Sequence, residues 1–304
     1  MQSTADVINN ARKASVLVPA FNVPYLPMVE PIIRAVVDQD SFALIETARA
    51  EWIKGESHSM AAVKQEFDKW SRPEHVRLHL DHVPVIDEDY QWVDYLPIIK
   101  EAIELGYQSV MVDGSRLGLE ENIMATQQVV ELAHKAGIPC EAELGMVMGH
   151  EAGPLPPYEE LYESGLGFTD VQEAARFVRE TGCDWLSVAV GNIHGPTSAA
   201  LKDKKKVEAR LNLDHLEQLS RVTGIPLVLH GGSGVQQNYV LHAIQRGIAK
   251  MNIGTEIRQA YEAALKESGV AAAQEAVYER TCWIIRDYIG VTGSRKLVTG
   301  GHPA

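Results

Sequence analysis

The sequence predicts an α/β fold: one (β/α)8 TIM barrel spanning residues 1–304, with a C-terminal helical extension. Three observations carry this. Eight short apolar, β-branched runs recur along the chain, stretches of helical period separate them, and no shift in composition divides the 304 residues into two units. A chain of this length buries a substantial core.

The predicted strands are Val16–Asn22, Phe42–Thr47, Val76–His82, Ser109–Gly114, Pro139–Gly145, Trp185–Gly191, Pro226–Gly231 and Ile248–Gly254. Glu120–Lys135 and Val171–Glu180 are clear helices by periodicity. Thr169-Asp170 caps the second of these, and Asn212-Leu213-Asp214 opens a helix over His215–Arg221. Gly106, Gly137, Gly182, Gly224 and Gly247 each stand between a helical stretch and a strand, the usual place for a left-handed residue. Met146–Thr169 carries Gly149, Gly153, Pro154, Pro156, Pro157, Gly165 and Gly167, so it is expected to be a loop rather than an element, serving as a lid or binding segment. Val270–Tyr288 reads as a helix that either covers the barrel or meets another subunit.

The net charge of −13 argues against a nucleic-acid partner, which needs a basic face. The cluster Lys202–Lys206 reads as a solvated loop near the site, with attraction of an anionic substrate as the functional alternative. Cys140, Cys183 and Cys282 are odd in number and form no CxxC pair, which fits a reducing compartment. No apolar run reaches membrane-spanning length, and residues 1–15 lack the apolar core of a leader. The expectation is a cytoplasmic protein that engages neither membrane nor nucleic acid.

Three histidines fall at or just past predicted strand ends: His82 in His79-Leu80-Asp81-His82, His194 in Gly191-Asn192-Ile193-His194-Gly195, and His230 in His230-Gly231-Gly232-Ser233-Gly234. Any one could be a core histidine. Three at the C-terminal ends of barrel strands, where the chemistry of this fold resides, point to a divalent metal with an open coordination position. Glu141 and Glu143 alternate onto one face of the fifth strand, where one can reach a metal or substrate and the other can serve as a core carboxylate. Asp113, ending the fourth strand, is either a support for a ligand or structural. Asp81 is either a support for His82 or an acid/base; regular alternation turns neighbours to opposite faces unless a bulge intervenes. Gly231–Gly234 and Asn252-Ile253-Gly254-Thr255 follow strands seven and eight, whose loops build the common phosphate site of this fold.

Val18–Val23, His79–His82, Asp113-Gly114-Ser115, Leu119–Asn122, Glu141–Gly145, Gly191–Gly195, His230–Gly234 and Asn252–Thr255, in that order, resemble the class II, metal-dependent fructose-bisphosphate and tagatose-bisphosphate aldolase family over nearly the whole chain. The resemblance implies a carbon-carbon lyase that cleaves a ketose 1-phosphate or ketose bisphosphate to dihydroxyacetone phosphate and an aldehyde. It implies Zn2+ or another divalent ion on His82, His194 and His230, with Asp113 and Glu143 as alternate or supporting ligands. Asp81 and Glu151 would be the catalytic acid/base pair. Gly195, Gly231, Ser233, Asn252 and Thr255 would hold the phosphate, beside a monovalent cation, in a homodimer or homotetramer.

Departures from the family pattern gather where the far end of the substrate binds. Ala48-Arg49 stands where a serine is common, Gly254 where an aspartate or asparagine is frequent, and Gln274 where an arginine reaches across subunits. Val83 replaces a frequent glycine, and Met146–His150 is bulkier than the usual loop. These changes suggest altered aldehyde-side specificity, with Arg49 either recognising an anionic group or pairing with Glu46 or Glu51 at the surface. A noncatalytic aldolase-like subunit and a metal-dependent barrel hydrolase are the competing readings.

Overall fold

The computed structural model describes residues 2–148, 156–194 and 208–300. Its eight strands are β1 (Val18–Asn22), β2 (Ala43–Ala48), β3 (Val76–Pro84), β4 (Ser109–Asp113), β5 (Cys140–Leu144), β6 (Trp185–Val188), β7 (Leu227–Leu229) and β8 (Ile248–Ile253). All pair in parallel, in chain order, and β8 closes onto β1. Every predicted strand overlaps an observed one. The two clear helices become Leu119–Lys135 and Val171–Thr181, and the third becomes Leu213–Thr223. Asp170 accepts hydrogen bonds from the amides of Gln172 and Glu173, and Asn212 from that of His215, so both caps form as their sequences suggest. All five punctuating glycines have positive φ.

Two apolar layers form. One lies between the strands and the surrounding helices; the other fills the lower lumen with Val18, Ala20, Leu44, Trp185 and Val228. The helix Thr4–Ala14 closes that lower end with Val7, Ile8 and Ala11. Its start is a capping box in which Ser3 Oγ accepts from Asp6 N and the Asp6 carboxylate accepts from Ser3 N. The Ser-x-x-Asp signal was present in the sequence and would have found this helix.

The expected loop Met146–Thr169 requires correction: its described part contains the helix Tyr158–Ser164. Glu159 and Glu160 favour the helix N-terminus electrostatically, Leu161 is buried, and the Tyr158 hydroxyl accepts from Arg210 N at 2.6 Å. Tertiary contacts thus stabilise a helix too short to stand alone. The C-terminal extension is longer than expected, running Thr255–Trp283 across a break at Gly269, then through a π turn at Ile284–Ile289. It packs on the helix Val29–Asp38, where Arg34 meets Glu275 at 2.9 Å and lies over the Tyr278 ring.

Candidate active site

The lumen changes character along its axis. Above the apolar layer lies a fully buried ionic layer of Glu46, His79, Glu141 and Lys250, all 0% exposed. Above that, at the C-terminal mouth, sit Asp81, His82, Asp113, Glu143, His230 and Asn252.

Asp81 and His82 both reach the mouth because β3 is irregular. Its register against β4 shifts between Leu80 and Val83, and His82 has φ +26°. A bulge turns the two consecutive side chains to one end of the barrel, as strict alternation would not. A non-glycine residue at such a φ costs about 1–3 kcal/mol, a strain that the surrounding packing and hydrogen bonds must offset.

Ring nitrogens of His82, His194 and His230 form a group whose atoms lie within 4.8 Å of one another. His82 Nδ1 lies 3.2 Å from Asp113 Oδ2, and His230 Nε2 lies 2.7 Å from Glu141 Oε1. An ionised carboxylate only accepts, so these nitrogens carry protons and the opposite nitrogens are the ones left to bind a metal. Those opposite atoms, His82 Nε2 and His230 Nδ1, face each other at 2.7 Å. Two lone pairs at that separation repel unless a cation lies between them, either a proton or a metal ion. The donor set therefore suits a divalent ion bound through His82 Nε2, His230 Nδ1 and His194, each of the first two oriented by a carboxylate behind it. Glu143 Oε2 is 3.4 Å from His230 Nδ1 and 4.0 Å from His82 Nδ1, and a second group joins His82 to Asp113 and Glu143.

Lys250 Nζ donates to Glu141 Oε2 at 2.8 Å, and Trp185 Nε1 donates to the same oxygen at 2.6 Å. Lys250 also approaches Glu46 Oε2 to 3.3 Å, without hydrogen-bond alignment; among the described residues neither Glu46 oxygen has a hydrogen-bond partner. Burial opposes the charge of Glu141, but Lys250 and His230 outweigh it and hold this carboxyl far below its ordinary range. Glu46 goes the other way: burial, reinforced by the charge of Asp81, raises it well above the carboxylate range, so it keeps its proton. His79, buried beside Lys250, is lowered to about 3 and is neutral.

Asp81 is held by two amides. Asn252 Nδ2 donates to Oδ1 at 2.8 Å and Asn22 Nδ2 to Oδ2 at 3.0 Å. Burial again opposes ionisation, but His82, Lys250, His230 and His79 prevail and hold the carboxyl at about 2. Asp81 is therefore an oriented anion at neutral pH.

Of the residues singled out in the sequence, Asp81, His82, His194, His230, Asp113 and Glu143 come together. Glu151, Gly195 and Lys202–Lys206 lie outside the described residues. Gly231 takes φ +64°, and a Cβ there would sit 2.3 Å from the Ile193 carbonyl oxygen, so the turn after β7 requires glycine. Ser233 Oγ accepts from Glu256 N at 3.4 Å, joining the β7 loop to the helix that Thr255 begins. Asn252, expected at the phosphate, turns its amide to Asp81. Gly254 lies against Asn22: an added Cβ would meet Asn22 Oδ1 at 3.0 Å. Gln274 donates to the Pro27 carbonyl at 3.0 Å. The expected pairing of Arg49 with Glu46 or Glu51 is corrected: its partner is Asp87, at 3.4 Å, and the side chain is only 20% exposed. Glu46 points into the lumen, 3.3 Å from Lys250, and Glu51 folds back to accept from Ala48 N at 2.9 Å. Sequence reasoning missed Asn22, Lys250, Trp185 and His79 as parts of the site. Strand alternation could have found Lys250, two residues before Asn252, and His79, two before Asp81.

The closed parallel barrel with this mouth defines a barrel enzyme of the metal-dependent kind. Residues 2–292 match the family model described as fructose-bisphosphate aldolase class-II, and the chain belongs to that family, whose members are metal-dependent lyases acting on phosphorylated sugars. It is 34% identical over 281 residues to a fructose-bisphosphate aldolase of Streptococcus pyogenes serotype M3, covering 91% of this chain and 87% of that one. It is 32% identical over 267 residues to a fructose-bisphosphate aldolase of Geobacillus stearothermophilus, covering 87% and 84%. Among solved structures, the YdjI aldolase of Escherichia coli K12 superposes with a TM-score of 0.74 at 29% identity, covering 96% of this chain and 100% of that one. Neither a hydrolase nor a noncatalytic subunit finds support in these likenesses. Among the described residues, no helix is long and apolar enough to cross a membrane.

Proposed function

We propose that this protein reversibly cleaves a ketose 1-phosphate or ketose bisphosphate to dihydroxyacetone phosphate and an aldehyde, with aldehyde-side specificity changed from that of its named relatives. The observation that carries the reading is the juxtaposition of an oriented Asp81 anion with two imidazole nitrogens, His82 Nε2 and His230 Nδ1, that face each other at 2.7 Å and need a cation between them.

In this scheme His82, His194 and His230 hold Zn2+ or another divalent ion, with Asp113 and Glu143 as supports or alternate ligands. When bound, the ion supplies Lewis-acid polarisation of the substrate oxygens and stabilises charge developing on the dihydroxyacetone phosphate half. Asp81 takes the hydroxyl proton from the carbon that becomes the aldehyde. The electron pair of the breaking carbon-carbon bond passes to the dihydroxyacetone phosphate half, and Glu151 returns a proton to that carbon. Asn22 and Asn252 keep Asp81 aimed and ionised for the first transfer. Gly195, Gly231, Ser233, Asn252 and Thr255 receive the phosphate, with a monovalent cation beside it. The protein works in the cytoplasm as a homodimer or homotetramer.

The test is release of dihydroxyacetone phosphate from a ketose 1-phosphate panel, with metal-replete and chelated enzyme. Expected are cleavage lost on chelation and restored by divalent metal, and a fall of about 100-fold or more in kcat for Asp81→Asn. Cleavage that persists in thoroughly chelated protein would refute the metal assignment, and full activity in Asp81→Asn the role of that carboxylate.

A further inference from the structure

The three candidate metal ligands are held unequally. His82 lies within β3 and His230 directly follows β7, and each has a carboxylate behind it. His194 stands six residues beyond the end of β6, so its place depends on what fixes the intervening backbone. Two ties act close to it: His194 N donates to Met148 O at 2.7 Å, and Asn192 Nδ2 donates to His230 O at 3.0 Å.

The helix Tyr158–Ser164 supplies a third. The Tyr158 hydroxyl accepts from Arg210 N at 2.6 Å and lies 3.0 Å from Arg210 O and 3.1 Å from Gly191 O. Its single proton serves one carbonyl at a time. Gly191 precedes His194 in the chain and Arg210 follows it, so one phenol holds the backbone on both sides of the ligand. The approach is close: Gly191 takes φ +110°, and a Cβ there would sit 2.6 Å from Arg210 O and 2.8 Å from Tyr162 Cε2. Nor does the helix depend on that hydroxyl for its seat. Leu161 is buried, Tyr162 meets Phe168 edge-on at 6.1 Å, and the Arg210 guanidinium lies 4.5 Å from the Tyr162 ring centre while pairing with Glu159.

We infer that Tyr158 is a positioning residue for the third metal ligand: its hydroxyl fixes the backbone at Gly191 and Arg210 and so sets where His194 presents its ring. The inference rests on the proposed metal set and adds to it a residue outside that set. Without the hydroxyl, the amide and carbonyls it serves turn to water, and the chain carrying His194 gains freedom. That freedom must be given up when the ion binds, so the loss appears as weaker metal affinity.

The experiment measures Zn2+ affinity of the full chain by chelator competition for wild type, Tyr158→Phe, His194→Ala and the double variant, with Glu159→Gln as a control for loosening of the helix. Expected is a loss of about 3-fold to 10-fold for Tyr158→Phe, the equivalent of one neutral hydrogen bond, and of less than about twofold for Glu159→Gln. In the His194→Ala background, Tyr158→Phe should change affinity by less than about twofold, since the residue through which it acts is gone. Bound Co2+ should show altered visible bands in Tyr158→Phe, because the geometry of its ligands has changed. Wild-type affinity and bands in Tyr158→Phe, the same loss in both backgrounds, or an equal loss in Glu159→Gln overturns the inference while leaving the metal set intact. So does a Tyr158→Phe protein that fails to fold with or without Zn2+, because the hydroxyl then serves the fold rather than His194. Wild-type Zn2+ affinity in His194→Ala overturns the ligand assignment and this inference together.

Discussion

Replacing Glu141 by glutamine changes almost no volume but inverts the hydrogen-bond logic beneath His230. Glu141 Oε2 receives two fixed donors, Trp185 Nε1 at 2.6 Å and Lys250 Nζ at 2.8 Å. Neither can be turned into an acceptor, so a glutamine must put its carbonyl oxygen there and its NH2 group toward His230 Nε2. That nitrogen must then accept, which moves the imidazole proton to Nδ1, the atom aimed at His82 Nε2. The wrong tautomer masks one of the proposed metal ligands. Loss of a partner of this kind weakens metal affinity by about 10-fold to 100-fold, or about 1.4–2.8 kcal/mol. The protein should still fold. Glu46, 3.3 Å from Lys250, is kept protonated partly by the charge of Glu141 and can ionise once that charge is gone. The destabilisation should therefore stay below the roughly 3–5 kcal/mol of an orphaned buried charge. Chelator competition measures the affinity, and 15N shifts of His230 in metal-free protein report the tautomer. Affinity within about threefold of wild type, with Nε2 still protonated in the folded variant, would refute the reasoning.

Three further outcomes are expected. Gly254→Ala places a methyl 3.0 Å from Asn22 Oδ1 and should move the Asn22 amide off Asp81, lowering kcat several-fold while metal affinity is kept; unchanged kcat would mean Asn22 yields without consequence. His82 is raised well above its ordinary value, because the charges of Asp81, Asp113 and Glu143 overcome burial, so it is protonated at pH 7 in metal-free protein. Metal binding should then release about one proton and weaken as pH falls, which calorimetry in two buffers of different ionisation enthalpy would detect. Glu51 is pushed up to about 8, chiefly by burial, against an unfolded value near 4.5. A raised carboxyl holds its proton better in the folded state, so its contribution fades as pH climbs from 4.5 through 8. Glu51→Gln should gain in melting temperature relative to wild type at pH 8.5 over pH 5; a constant difference would contradict this.

The sequence alone determined the eight strands, their parallel order and the end of the barrel where the chemistry gathers. Those properties are local: apolar runs of strand length, left-handed glycines and helix caps write them residue by residue. It also indicated the three histidines, because each follows its own strand. Tertiary structure decided which neighbours share a face. Asp81 and His82 lie side by side only because β3 bulges against β4 and His82 accepts φ +26°, and a register shift between two strands leaves no mark in either one. Contacts between distant strands likewise decided the partners of each charge. Lys250 on β8 holds Glu141 on β5 anionic, Asn22 on β1 aims Asp81 on β3, and Arg49 meets Asp87 rather than the glutamates beside it in sequence. Periodicity tells which side chains enter the lumen; only barrel closure brings them within hydrogen-bond range of one another, and that distance fixes protonation and aim.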